Sequence, residues 1–381
     1  DDASTSGFRR AWLRNSLVVA QMALSVLLLI CAGLIVRSLQ AAQKMRPGFN
    51  PENAVAMTFD VGLQGYDEPR GRAFHKQALE RVRALPNVKA ASLAQSLPLE
   101  LNFNNSVIFI EGQATTSTAN MPLAVANYVM PDYFTTMGIA LRGRDFTERD
   151  KEKESRFAIV NESFARRFWP GQEAVGKRFN FSGPNDPLWE VVGVAADGKY
   201  NSLGEEQKIA FYRPMPRDYT TWTTLVARTN GDPQAAIGAI RNELRQLDPT
   251  LPVSGVKTMK EHMNVPLFPA RVAATVLGSF GVLALILAAI GIYGVMSYAV
   301  SQRTREIGIR MALGALKTDV LKMIVGQGLW LVGIGLVIGL SAAFGLTRFL
   351  AVVLYGVSAT DVVTFIAIPL VLALVALLAC F

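Results

Sequence analysis

The string Gly171-Gln-Glu-Ala-Val-Gly176-Lys177 supplies the first seven positions of a loop that cradles phosphates with backbone N–H groups. The eighth position, where a Ser or Thr hydroxyl would meet Mg²⁺, is Arg178. The residues that follow (Arg-Phe-Asn-Phe-Ser-Gly-Pro) read as strand and turn, not as the helix whose N-terminus would face the anion. A surface turn is the better reading. The chain has two histidines. His75 sits beside Phe74 on the polar shoulder of a helix, and His262 stands just ahead of an apolar run. Neither has a second His, a Cys or a close carboxylate pair, so no catalytic, cofactor or metal site is expected. Asp67-Glu68 and Glu205-Glu206 read as solvated loop charges. Nothing argues for an enzyme.

Residues 301–315, Ser-Gln-Arg-Thr-Arg-Glu-Ile-Gly-Ile-Arg-Met-Ala-Leu-Gly-Ala, are the most distinctive in the chain. Charges alternate with Ile307, Ile309, Met311 and Leu313, and the run closes on Gly314. A further helix starts over 317–320, with Thr318 or Asp319 near its N-terminus. A short amphipathic helix lying on a membrane or in a partner's groove fits this pattern. A solvated basic connector that only fixes topology fits it too.

The elements around this segment are four stretches without a charged residue: 16–36, 272–302, 323–347 and 362–381. A helix of about 20 residues crosses the hydrocarbon of a bilayer, so each is read as a transmembrane helix. Arg9, Arg10 and Arg14 before the first stretch resemble the basic start of a signal peptide. Its apolar run exceeds the usual 7–15 or so residues, and Ala41-Ala42 is a poor cleavage site, so a retained helix is expected. No span holds an Asp, Glu, His, Lys or Arg in its interior, which argues against ion-coupled transport. Gln21, Gln327, Tyr293 and Tyr298 read as interhelical hydrogen-bonding groups, and Gly335 with Gly339 as a helix-packing GxxxG.

The loop between the second and third spans carries Arg303, Arg305, Arg310, Lys317 and Lys322, whereas the next loop carries Arg348 beside Asp361. Short basic loops stay in the cytoplasm, so the N-terminus is predicted cytoplasmic and the long segment 37–271 outside. The net charge of +8 lies partly at these borders. With no basic run interleaved with aromatics, no nucleic-acid partner is expected. Cys31 and Cys380 both fall inside spans, leaving the outer domain without a disulfide. The sequence opens on Asp1-Asp2 and stops within the fourth stretch, which predicts a piece of a longer protein with a truncated fourth span.

The outer domain reads as mixed α and β. Strands are expected at 53–62, 88–97, 106–111, 223–228 and 253–256, with an apolar run at 189–196. Helices are expected at 68–85, where Phe74, Ala78, Val82 and Leu85 share a face, and at 161–169 and 233–247. Residues 115–120 read as a polar connector. Strand–helix–strand order recurs at both ends, suggesting two subdomains, one inserted in the other.

Residues 303–315, followed by Asp319-Val-Leu-Lys-Met-Ile-Val-Gly-Gln-Gly328, resemble the signature of FtsX/MacB-type permeases, the membrane subunits of mechanotransmitting ABC transporters. The resemblance extends over nearly the whole chain. Leu13-Arg-Asn-Ser-Leu-Val-Val-Ala-Gln-Met-Ala-Leu-Ser25 is similar to their first span. Pro131-Asp-Tyr-Phe-Thr-Thr-Met-Gly-Ile139, Gly143-Arg-Asp-Phe146, Ile159-Val-Asn-Glu-Ser-Phe-Ala165 and Val175-Gly-Lys-Arg-Phe179 are similar to their periplasmic core domain. Several strings resemble a group called duplicated orphan permeases, whose chains carry two permease halves in tandem.

The resemblance implies four transmembrane helices with a large α+β periplasmic domain inserted between helices 1 and 2, in a bacterial inner membrane. It implies this order: cytoplasmic segment 1–15, span 16–36, periplasmic core 37–271, span 272–302, cytoplasmic coupling loop 303–322, span 323–347, short periplasmic loop 348–361 and span 362–381. The core would divide into a porter-like part, 50–128 with 220–259, and an inserted part, 129–217. Arg305, Glu306, Ile307, Gly308, Arg310, Leu313 and Gly314 carry over as contacts to an ATP-binding subunit. A second permease half or an identical copy, and a periplasmic partner, are the further partners implied. The alternative is a non-transporting scaffold or signalling protein that binds an envelope partner.

Overall fold

Where no water reaches the backbone, a chain must hydrogen-bond within itself, and the charge-free stretches are accordingly helical. The computed structural model describes residues 2–45, 47–100, 104–112, 122–147, 150, 156–181, 183, 186–302, 304–312, 317–350, 354 and 356–379. They form two units, Asp1–Lys44 with Leu267–Phe381, and Met45–Pro266.

The first unit holds α1 (Asp2–Lys44) and the helices that follow the second unit in the chain. They are α7 (Phe268–Gln302), α8 (Thr304–Ala312), α9 (Lys317–Leu350) and α10 (Val362–Ala379). Val18, Met22, Val26, Ile30 and Leu34 recur every fourth residue of α1 and form one buried stripe. Against it pack Ile292 and Val295 of α7, Val332 and Ala343 of α9, and Leu372 and Ala376 of α10. α1 is thus the shared wall of the bundle. Among the described residues, three helical segments are long and apolar enough to cross a membrane: Asn15–Ala42, Phe268–Tyr298 and Gly328–Phe349. The apolar part of α10, Val362–Leu378, is shorter and contains Pro369. α1 runs on to Lys44, so residues 37–44, expected at the start of the outer domain, are helix of the first unit.

The second unit is built on one sheet. In chain order it contains β1 (Ala54–Asp60), α2 (Glu68–Arg83), β2 (Val88–Ala94), β3 (Asn104–Val107), β4 (Phe109–Ile110), β5 (Leu123–Val129), α3 (Tyr133–Met137) and β6 (Leu141–Gly143). Next come β7 (Phe157–Asn161), α4 (Glu162–Phe168), β8 (Arg178–Asn180), β9 (Trp189–Ala195), β10 (Ala210–Pro214), β11 (Trp222–Thr229), α5 (Pro233–Leu247), β12 (Val253–Thr258) and α6 (Met259–Asn264). The strand order is β12-β1-β11-β2-β5-β10-β7-β9-β8-β4, with β3 on β5 and β6 on β9.

Four strands and two helices, β1-α2-β2 and β11-α5-β12, interleave as two split βαβ units. Their core joins Phe74, Ala78 and Val82 of α2 to Ile240 and Leu244 of α5 over Met57, Leu93 and Leu225. A second core gathers Phe164 and Trp169 with Phe179, Trp189, Val191 and Phe211. Ile108, Ile110, Ala124 and Ala126 belong to this second core. Tyr128, Met130 and Met215, in contrast, pack with the first core, so β5 serves both. Backbone pairing continues from one core to the other, so periodicity along the chain carries no mark of the change. The expected connector 115–120 lies outside the described residues.

Candidate functional site

The segment with alternating charge is helical as α8, between the two long apolar helices α7 and α9. At its start the Thr304 hydroxyl donates to the carbonyls of Val300, at 3.1 Å, and Ser301, at 2.9 Å. Arg305, Glu306, Ile307 and Gly308 occupy its first two turns, and Arg310 lies exposed beside Ile309 and Met311. A helix that presents apolar and charged groups together can fill a groove on another protein. Leu313 and Gly314 lie outside the described residues.

Gly335 and Gly339 both face α1. A β-carbon on Gly339 would stand 2.7 Å from the Val26 Cβ and 2.8 Å from the Ala23 carbonyl oxygen. At the far end of the α1 apolar run, Arg37 pairs with Asp361, whose carboxylate also accepts the Thr364 N–H at 2.8 Å.

In the second unit, a buried cation organises the return from the second core to the first. The Arg213 guanidinium lies 4.4 Å from the Trp189 ring centroid, 4.5 Å from Phe181 and 5.0 Å from Tyr128. It donates to the Tyr128 hydroxyl at 3.0 Å and pairs with Asp218 at 2.7 Å. Burial lowers the Arg213 pKa and raises that of Asp218, with each charge opposing the other's shift. No pattern in Arg213-Pro-Met-Pro-Arg-Asp218 announces this cluster, because its three rings come from β5, β9 and the segment after β8.

His75 is 3% exposed, so the face read as a polar shoulder is covered, by Thr223 of β11 and the Tyr219 ring. Its Nε2 lies 3.4 Å from the Thr223 hydroxyl oxygen. His262 is also buried, and its Nε2–H donates to the Pro98 carbonyl at 2.6 Å. Desolvation pushes both imidazoles down to about 4, helped by the charges of Arg72 and Lys257 respectively. Glu205 is another departure from the expected solvated charge. Its side chain is 9% exposed, lies 3.0 Å from Lys208 Nζ and accepts the Asn201 N–H at 3.2 Å. Asp67 caps α2, accepting the Arg70 N–H at 3.0 Å.

The glycine-lysine segment 171–177 is a turn, with Gly171 and Gly176 at φ of +70° and +85°. Lys177 Nζ donates to Gln172 Oε1 at 2.8 Å, and the strand β8 follows directly. Among the described residues, no helix starts after this loop in the position a phosphate cradle requires.

Comparison with known proteins covers most of this architecture. Residues 16–247 match the model of the MacB-like periplasmic core domain, and residues 278–381 match that of the FtsX-like permease C-terminal domain. A macrolide export ATP-binding/permease protein MacB from Azoarcus sp. (strain BH72) is 26% identical over 72% of this chain and 41% of that protein. A pyoverdine export ATP-binding/permease protein PvdT from Pseudomonas putida is 27% identical over 54% of this chain and 32% of that protein. The chain thus spans less than half the length of the curated relatives it matches. The crystal structure of the periplasmic region of MacB from Actinobacillus actinomycetemcomitans aligns with 58% of the chain and 94% of its own length. Its identity is 14% and its TM-score 0.38.

Proposed function

The chain belongs to the MacB-like periplasmic core domain family and carries an FtsX-like permease C-terminal domain, and from that premise we propose that it is one permease half of an ABC-type mechanotransmission system. In this reading an ATP-binding subunit docks on α8 from the cytoplasm. Its closure is relayed through the helices that flank α8 to reshape the periplasmic domain, in an export or envelope process. The family is one of membrane-bound ABC permeases, and the matched relatives are named as export ATP-binding/permease proteins.

The observation that carries the reading is α8 itself, nine residues of mixed charge set between two long apolar helices. Arg305, Glu306, Ile307, Gly308, Arg310, Leu313 and Gly314 are the proposed contacts. The proposal includes four spans, with α10 as the fourth and the N-terminus cytoplasmic. In this reading the porter-like part is centred on the first apolar core and the inserted part on the second, with residues 108–126 of the porter-like part packing into the second. A second permease half, upstream in tandem or as an identical copy, completes the membrane part. Gly335 and Gly339 serve close helix packing within one half.

The test is capture and reconstitution. The full chain in lipid nanodiscs is used to recover an ATP-binding subunit, and ATPase activity of the pair is then measured. Glu306→Lys and Arg310→Glu are expected to cut both association and stimulated activity roughly tenfold or more, as charge reversals at an interface do. Association and activity unchanged in both variants would overturn the reading, as would capture of envelope proteins alone.

A further inference from the structure

The chain enters the second unit through residues 47–53 and leaves it through α6, and one pair of linked loops holds both passages. On entry, the Lys199 N–H donates to the Pro47 carbonyl at 2.9 Å. Gly48, at φ of +89°, lies flat against Gly198, and a β-carbon there would fall on the Gly198 backbone. The Asn50 N–H donates to the Met137 carbonyl at 2.8 Å. The Arg228 guanidinium donates to the carbonyls of Thr136 and Glu52, each at 2.7 Å, and of Asn50 at 2.9 Å. A segment whose backbone groups are so fully bonded is not a loose linker.

On exit, Met259 and His262 of α6 are buried, and the His262 Nε2–H donates to the Pro98 carbonyl at 2.6 Å. Pro98 lies in a turn, residues 97–100, that is bonded in its turn to the loop holding Pro47. The Leu99 N–H donates to the Tyr200 carbonyl at 2.6 Å, and Asn201 Nδ2 donates to the Glu100 carbonyl at 3.2 Å. Leu99 makes its bond from φ of +68°, a left-handed conformation rare for leucine that persists only where the surroundings impose it. The Glu205 carboxylate fixes the shape of the second loop by accepting the Tyr200 and Asn201 N–H groups. This loop is mounted on the second core. At its start the Asp197 carboxylate accepts the Ser163 N–H at 2.8 Å and the Ser163 hydroxyl at 2.9 Å, next to the core residue Phe164.

We propose that residues 97–100 and 197–201 form a tie bar that couples the chain's entry into the second unit to its exit, by way of the second core. The two passages also have a direct link, since β1 pairs with β12 and Lys260 Nζ lies 2.6 Å from the Glu52 carboxylate. That link involves the edge of the first core and two side chains more than half exposed, where water screens the ion pair. The tie bar instead joins backbone groups around Leu97, Leu99 and Tyr200, all buried. A displacement applied at residues 47–50 therefore reaches α6 with the second core carried along. The proposal rests on contacts inside the second unit and stands whether or not α8 docks an ATPase.

The test is amide hydrogen exchange, read by mass spectrometry on the full chain in lipid nanodiscs, because it reports local opening segment by segment. Gly48→Ala forces apart the two stacked segments at the entry. It should speed exchange in residues 197–201, in residues 97–100 and in α6 by roughly tenfold, with β12 at the wild-type rate. Asn201→Ala cuts the bar in its middle, at a half-buried side chain. It should speed exchange in residues 97–100 and in α6 by roughly threefold or more, again without β12. An unchanged α6 in Asn201→Ala overturns the proposal, whatever the folding of Gly48→Ala. Loosening of α6 only in step with β12 overturns it too, because the coupling would then run through the direct strand pairing.

Discussion

A β-carbon placed on Gly335 would lie 2.7 Å from the Cβ of Met22. Gly339, one turn on, stands in the same relation to Val26, so two glycines of α9 admit the buried stripe of α1 at backbone distance. Small residues at this spacing let helices approach where the surroundings are as apolar as the side chains. Gly335→Val and Gly339→Val are expected to destabilise the folded protein by about 1–3 kcal/mol each, through overpacking. Gly333→Ala and Gly345→Ala are the controls, because a β-carbon at either meets nothing within 4 Å. These should change stability by no more than roughly 0.5 kcal/mol. Thermal unfolding in a mild detergent measures all four, and equal effects at the two pairs would remove the packing role.

Arg213 is the second structural dependency, because three rings and Asp218 are arranged around one guanidinium that is 13% exposed. Arg213→Ala strips the rings of their cation and leaves Asp218 three-quarters buried without that partner, at an expected cost of about 2–4 kcal/mol. Arg213→Lys keeps the charge but loses the flat face and the fork, and should recover less than half of the loss. Denaturant unfolding followed by the fluorescence of Trp189, which stacks on Arg213, reports the difference. Full recovery by lysine would reduce the cluster to a simple charge pair.

The buried histidines set a direction for acid sensitivity. Both have pKa values lowered from 6.5 to about 4 in the fold. Above pH 6.5 the folded and unfolded chains are both neutral at these positions, and full stability is present. As the pH falls from 6.5 toward 4, the unfolded chain takes up protons that the fold refuses, so stability drops. Below about pH 4 the loss levels off. Each histidine should account for on the order of 3 kcal/mol over this window. The double variant His75→Gln, His262→Gln should show a visibly flatter profile between pH 6.5 and 4. The glutamine amide that replaces the His262 imidazole retains a donor for the Pro98 carbonyl. A profile as steep as that of the wild type would assign the acid loss to other groups.

Much of this is legible in the sequence. The apolar positions Phe74, Ala78 and Val82 recur at helical spacing before Pro86, and α2 spans the residues they imply. α5 matches its expected bounds for the same reason, an apolar stripe behind an Asp-Pro start. What stayed hidden depends on residues far apart in the chain. His75 looks half polar until Tyr219 and Thr223 cover it. Glu205 looks solvated until Asn201 and Lys208 fold around it. The change of core is invisible because the sheet continues through it.

The pairing of Arg37 with Asp361 ties the end of the α1 apolar run to the start of α10, and its two partners are not equivalent. Asp361 also accepts the Thr364 N–H and the Thr364 hydroxyl, both at 2.8 Å, which is the geometry of a helix N-cap. Arg37 contributes only the ion pair, from a side chain that is 40% exposed. Water screens such a pair, so Arg37→Ala should cost no more than about 0.5 kcal/mol. Asp361→Ala loses the pair and the cap together and should cost about 1–2 kcal/mol. Asp361→Asn separates the two contributions, because the amide oxygen still caps Thr364 while the charge is gone. It should therefore behave like Arg37→Ala. The double variant Arg37→Ala, Asp361→Asn should be no worse than either single change, since both remove the same pair. If Arg37→Ala proves as damaging as Asp361→Ala, the ion pair outweighs the cap, and α10 is held to α1 chiefly by charge.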